Sequence, residues 1–247
     1  MLKTEGLVIR QTKYDEWDKI LTIFTRNNGK VQAIAKGARR PKGGLVAGTQ
    51  MFSYSDFLLY PGRNLYQVNQ ADIIESFFAL RDDLYKLAYA TYIIELIDAG
   101  AVEELANIKL FDLSIKTIRI LSKLNKDYKK LLTAFELKYI SFIGYRPYIR
   151  SCVICNGDLG NTVKFSNEHG GAICESCSSH GYYGYVVTRE ILSKIEELLF
   201  ISLDDIENLV ISNKDIDIIE NIVSNYIMSH IEKKKFKSLE FLKNLEK

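Results

Sequence analysis

Proline is scarce in this chain, with three in 247 residues, and no low-complexity segment interrupts it. That composition argues against long disordered linkers. No run approaches the roughly 18 uncharged apolar residues that a membrane span needs. The start, "MLKTEGLVIRQTKYDEWDK", is charged throughout and lacks the apolar core of a signal peptide. A cytoplasmic location without membrane partners is therefore expected. Net charge is only +2, so any case for nucleic acid must rest on where the charges sit. Catalytic signatures are also missing. There is no Ser/His/Asp set, no phosphate-cradling glycine motif and no HExxH. What is present is 47% apolar and 26% charged, enough for a well-cored globular protein of one large or two smaller domains.

Residues 1 to about 80 read as β. "EGLVIRQTKY", "KILTIFTRN", "MFSYSDFLLY" and "LYQVNQADIIE" are short, partly alternating runs, and Asn28-Gly29 is a hairpin signal between two of them. Five strands in this length predict a small antiparallel barrel, either an oligonucleotide/oligosaccharide-binding (OB) fold or an SH3-like barrel. From about residue 82 the apolar period changes from 2 to 3.6. Helices are expected in "DDLYKLAYATYIIELIDAG", "NIKLFDLSIKTIRILSKL", "YKKLLTAFELKYISFIG", "TREILSKIEELLF", "DDIENLVIS" and "KDIDIIENIVSNYIMSHI". Thr188, Ser202 and Asn213 are candidate N-caps. The class is α+β: a barrel over 1–80, then a helical domain over 81–247 with a cysteine element inserted at about 148–186. The lysine-rich tail "EKKKFKSLEFLKNLEK" reads as a terminal helix docked through Phe236, Leu239 and Leu242.

All four cysteines fall in that insertion, as Cys152-x2-Cys155 and, after eighteen residues, Cys174-x2-Cys177. Disulfides are rare in the inferred compartment, and a thioredoxin-type couple needs only one pair. Two CxxC pairs at this separation match a closed four-thiolate zinc site, which is structural rather than catalytic. An iron–sulfur cluster or metal-free packing are the alternatives. His169 and His180 could replace a thiol but are expected in solvent, as is His230 on the last long helix.

The other conspicuous feature is a stretch from Lys19 to Ser55 without a single acidic residue. It holds Arg26, Lys30, Lys36, Arg39, Arg40 and Lys42, with four cations packed into "KGARRPK". On a small barrel such an exposed, mobile loop suits phosphate neutralisation with counterion release. A purely solvated basic loop is the plainer reading. Tyr14, Trp17, Tyr54, Tyr60 and Tyr66 are the barrel aromatics from which base-stacking surfaces could come.

These residues carry a family likeness. "EGLVIRQTKYDEWDKILTIFTRNNGKVQAIAKGARRPK", "ADIIESFFALRDDLYKLAYATYIIELID" and "GYRPYIRSCVICN" leading to "GGAICESC" resemble the bacterial RecO family of DNA repair and recombination mediators over the whole length. The resemblance implies an N-terminal OB fold, a helical domain and a zinc module in a non-enzymatic, nucleoid-associated protein. It implies binding of single- and double-stranded DNA, annealing of complementary strands, association with RecR and with the C-terminal tail of the single-strand-binding protein SSB, and help in loading RecA. On this likeness Lys36, Arg39, Arg40 and Lys42 belong to the DNA-contacting loop, and Cys152, Cys155, Cys174 and Cys177 match the metal ligands. One departure is that Gly43 and Gly44 stand where a serine is expected. A zinc-stabilised protein-interaction module and a cysteine-based redox enzyme are the competing functions.

Overall fold

In the computed structural model, which describes residues 1–231 and 235–245, the first five strands close on themselves. They are β1 (Leu2–Lys13), β2 (Lys19–Thr25), β3 (Gly29–Ala35), β4 (Tyr54–Tyr60) and β5 (Tyr66–Glu75). Their order is β1-β2-β3-β5-β4, with β4 returning to β1. Every pairing is antiparallel except β3 with β5, which meet in parallel at Ala33–Tyr66 and Ile34–Gln67. This is the OB-fold barrel, and the SH3-like alternative falls away. β1 is long enough to serve both sides, pairing with β4 over Leu2–Leu7 and with β2 over Gly6–Lys13. Val8, Leu21, Ile23, Val31, Phe57 and Leu59 alternate into the buried interior.

The predicted hairpin forms at Asn28-Gly29. Thr25 Oγ1 accepts from the Asn28 amide at 3.1 Å and donates to the Gly29 carbonyl at 2.8 Å. Gly29 has φ +59°, and a Cβ there would stand 2.3 Å from the Leu105 carbonyl oxygen. Only glycine meets both conditions.

The chain divides into two compact units, residues 1–123 with 236–247 and residues 124–235. The first contains the barrel, α1 (Leu84–Gly100), α2 (Ile108–Lys123) and α7 (Lys237–Leu245). Asp83 caps α1 by accepting from the Lys86 amide. α2 seats Phe111 against Phe24 and Tyr54 of the barrel, at 5.5 and 6.1 Å between ring centres. α7 docks through buried Phe236, Leu239 and Leu242, as expected of the tail, with Phe236 edge-on to Tyr92 of α1. Residues 232–234 and 246–247 of that tail lie outside the described residues.

The second unit packs α3 (Tyr128–Phe142), α5 (Arg189–Phe200) and α6 (Asn213–His230) around a three-stranded sheet of β6 (Thr162–Ser166), β7 (Gly171–Ile173) and β8 (Tyr185–Thr188), in the order β7-β6-β8. A short α4 (Glu175–Ser178) follows β7. Thr188 caps α5 as expected, whereas the cap of α6 is Ser212 rather than Asn213. "DDIENLVIS" is not an α-helix. Leu203–Asn208 forms a 3-10 turn, in which buried Leu203 and Ile206 sit three apart on one side.

Candidate nucleic-acid interface and metal centre

Residues 36–53 leave β3 as a staircase of tight turns rather than a loose loop. The Arg40 amide donates to Gly37, that of Gly43 to Arg40 and that of Val46 to Gly43, at 2.9–3.1 Å. Ala38 is fully buried in the barrel core and pins the first step. Lys36, Arg39, Arg40 and Lys42 all project into solvent. Among the described residues, no carboxylate makes an ion pair with any of the four.

The loop between β1 and β2, residues 14–18, is stitched to this staircase. Arg39 donates from its amide to the Trp17 carbonyl at 3.0 Å, and from Nη1 to the carbonyls of Glu16 at 2.8 Å and Asp15 at 3.3 Å. The Gly37 amide donates to Asp18 Oδ1 at 2.8 Å. Positive charge extends beyond the loop. The Lys19 ammonium is held below its ordinary pKa, by burial first and then by the positive charges of Arg39 and Arg81. Arg81 also donates to the Met51 carbonyl on the same staircase. Sequence reasoning missed Arg81, because it lies far outside the acid-free run.

Arg26 and Lys30 are not brought to this place. They stand where β2 and β3 turn, about 20 Å away at roughly 3.3 Å per strand residue. Arg26 Nη2 lies 3.2 Å from Asp112 Oδ2, and Nη1 is 4.0 Å from Glu5. Lys30 Nζ, largely buried, donates to the Asp98 carbonyl at 2.7 Å and lies 3.2 Å from Asp98 Oδ1, a carboxylate shared with Arg10. The aromatic set also divides. Tyr54 is buried, its hydroxyl bonded to Glu5 and its pKa raised by burial first and by that bond second. Tyr66 is half-buried, while Tyr14, Trp17 and Tyr60 are exposed.

In the second unit the four thiols converge. All four Sγ atoms lie within 4.8 Å of one another, and Cys155 and Cys174 are 3.8 Å apart. None is in a disulfide. The first pair curls in a turn in which the Asn156 amide donates to the Cys152 carbonyl at 2.8 Å. The second pair opens α4, with Cys174 as its N-cap. The β6–β7 hairpin returns one pair to the other, as the glycine-rich spacer predicts. Residues 148–153 run beside β7 so closely that a Cβ on Gly171 would stand 2.0 Å from the Tyr148 carbonyl oxygen. That approach lets the Ala172 amide reach Tyr148 and the Val153 amide reach Ala172, at 2.8 and 2.9 Å.

The crowded sulfurs do not behave alike. Hydrogen bonds from Ser176 and then the Cys177 backbone hold Cys174 down at about 6. Contact with the Cys155 and Cys174 sulfurs pushes Cys177 up to about 12. Four thiolates this close repel one another unless a cation sits among them. Neither His169 nor His180 joins the cluster. His169 is half-buried against Tyr182 and bonded to Ser166, while His180 is exposed. His230, expected on the surface, is half-buried against Tyr145 and Tyr226.

Among the described residues no helix is long and apolar enough to cross a membrane. Two family models match the chain: recombination protein O N terminal over residues 1–77, and recombination protein O C terminal over residues 81–240. Similar proteins include the DNA repair protein RecO of Alkaliphilus metalliredigens, 40% identical over 99% of this chain and 100% of that protein. Those of Symbiobacterium thermophilum and Acetivibrio thermocellus are 34% and 32% identical, over 99% and 100% of this chain and 98% of each relative.

Proposed function

The chain belongs to the RecO family, and on that premise we propose that it is a DNA-binding recombination mediator in DNA repair. The observation that carries this reading is the set of four exposed cations, free of carboxylate partners, on a loop of an OB barrel. Such a set neutralises phosphates of single strands and duplexes alike and releases their counterions. Holding two strands by their backbones lowers their mutual repulsion, so complementary bases can meet and anneal. No bond is made or broken in that process, and the protein is read as non-catalytic. Following the family, its partners are RecR and the C-terminal tail of SSB, and through them it assists RecA loading on SSB-coated DNA. The same likeness gives a cytoplasmic, nucleoid-associated place of work.

The thiol cluster fits zinc. Tetrahedral thiolate coordination with Zn–S near 2.3 Å places sulfurs about 3.8 Å apart, the separation of Cys155 and Cys174. Cys152, Cys155, Cys174 and Cys177 would close the coordination sphere, so the ion's role is to fix the hairpin.

The test is a salt series of single-stranded DNA titrations. Each single-strand phosphate contact contributes about 0.7 to the slope of log affinity against log salt. Replacing Lys36, Arg40 and Lys42 together by Ala should therefore weaken binding and flatten the slope by about 2. Arg26→Ala with Lys30→Ala should change the slope much less, because those cations are already engaged. A triple variant with the wild-type slope would show that the loop is not the grip.

A further inference from the structure

We infer that Trp17, with Tyr14 of the same turn, is a stacking platform for unpaired bases next to the basic loop, so that this site distinguishes single strands from duplexes. The inference rests on the DNA-binding reading above and deepens it.

Residues 14–18 form a turn closed by the Tyr14 amide on the Asp18 carbonyl at 3.2 Å. The bonds from Gly37 and Arg39 join that turn to the staircase of cations. Two loops thus make one ledge. Tyr14 is 62% exposed and Trp17 38%, and among the described residues no ring contact occupies either one. Large rings left in water at a basic surface are what base stacking uses. Tyr60, the other exposed barrel aromatic, closes β4 opposite Gln67 and is not tied to this ledge. The sequence could not choose among five barrel aromatics, and the hydrogen bonds of Arg39 make the choice.

The two loops of the ledge carry opposite charge. Lys36, Arg40 and Lys42 stand on the staircase loop, and Asp15 and Glu16, both exposed, on the β1–β2 loop bonded to it. A phosphate backbone runs along the cations and is repelled by the acids. The bases then turn toward the β1–β2 loop, where the rings can stack and the carboxylates can accept from exocyclic amino groups. A duplex keeps its bases inside and brings a second row of phosphates against Asp15 and Glu16. Arg39 is a positioning residue here. Its Nη1 donates to both the Asp15 and the Glu16 carbonyl from the plane of the guanidinium, a geometry that a lysine ammonium on its shorter stem does not reproduce.

Trp17 is the single tryptophan of the chain, so its emission reports on this site alone. The intact protein is titrated with end-labelled oligo-dT and with a matched duplex, reading label anisotropy and tryptophan emission together. Oligo-dT should quench Trp17, whereas the duplex should bind with emission unmoved. Trp17→Ala should weaken oligo-dT binding about tenfold, the scale of one stacked base, with duplex binding unchanged, and Trp17→Phe should recover most of the loss. Arg39→Lys should reduce the quench while the salt slope stays close to wild type. Oligo-dT binding without quenching, or Trp17→Ala with wild-type oligo-dT affinity, overturns the inference and leaves the DNA-binding reading standing. Failure to bind either DNA overturns that reading and the inference with it.

Discussion

Lys30, near the start of β3, and Lys36, just past its end, meet opposite fates. Asp98 accepts Lys30 through both its carbonyl and its carboxylate, while Lys36 faces water. Desolvated pairs hold elements together, and free cations hold ligands. Nothing local in the sequence separates the two lysines, because Asp98 lies 68 residues from Lys30. A second engaged pair makes a testable statement about pH. Lys194 Nζ lies 2.8 Å from Asp215 Oδ2, and Ser212 Oγ donates to the same carboxylate at 2.7 Å. The bond from Lys194, then that from Ser212, hold the Asp215 carboxyl below its ordinary range, while the carboxylates of Asp215 and then Glu190 hold Lys194 above its own. A depressed carboxyl contributes stability that is present above the unfolded pKa, near 3.9, and fades as pH falls through the folded value. The raised lysine acts oppositely, contributing at neutral pH and failing only above about 10.4. Asp215→Asn should therefore be less stable than wild type at neutral pH, with the gap closing below about pH 4. Urea unfolding followed by circular dichroism across pH checks this, and a gap constant down to pH 2 would contradict it.

Elements were legible where their cause is local. Asn28-Gly29 turns because of its own backbone, and Thr188 caps because its own hydroxyl reaches three residues on. The paired CxxC motifs announced a four-sulfur site for the same reason, since each knuckle is a turn of four residues. β8 was not legible. It is a strand because Tyr185–Thr188 pairs with β6, from Thr162 against Thr188 to Phe165 against Tyr185, and "GYYGYVV" alone does not show that. The 3-10 turn at Leu203–Asn208 escaped notice because two buried residues three apart suit either helix type. If the thiols hold one zinc per chain, the metal binding energy is part of what folds this small sheet. Chelation should then expose the amides of residues 148–188 to hydrogen exchange and leave those of β1–β5 protected. Metal analysis of the purified chain should give one zinc, and unchanged protection of β6 and β7 after its removal would exclude a structural role.

At the scale of the whole chain, the change of period near residue 80 coincides with the junction of the two family models, at 77 and 81. Compactness divides elsewhere, after residue 123. The reason is that α1 and α2 spend their apolar faces on the first unit. Phe111 fills against Phe24 and Tyr54, and Arg119 forks onto Glu75 of β5 with Nε at 2.8 and 3.1 Å from its two oxygens. Periodicity reports that a helix has a buried face but not what covers it, so this boundary was invisible in the sequence. The last helix belongs to the first unit as well. Phe236 is 2% exposed against Tyr92, and Ser238 Oγ donates to Glu95 at 2.8 Å. Phe236→Ala removes a fully buried ring from that contact, which should cost about 3–5 kcal/mol. The loss should fall on the first unit alone. In hydrogen exchange the amides of α1 should open more readily, and the transition read by Trp17 should move to lower denaturant. Amides of α3 and α6 should keep their protection, because the second unit has its own core. Equal loss in both units would mean that α7 stabilises the chain as one cooperative body, and the division at residue 123 would not be thermodynamic.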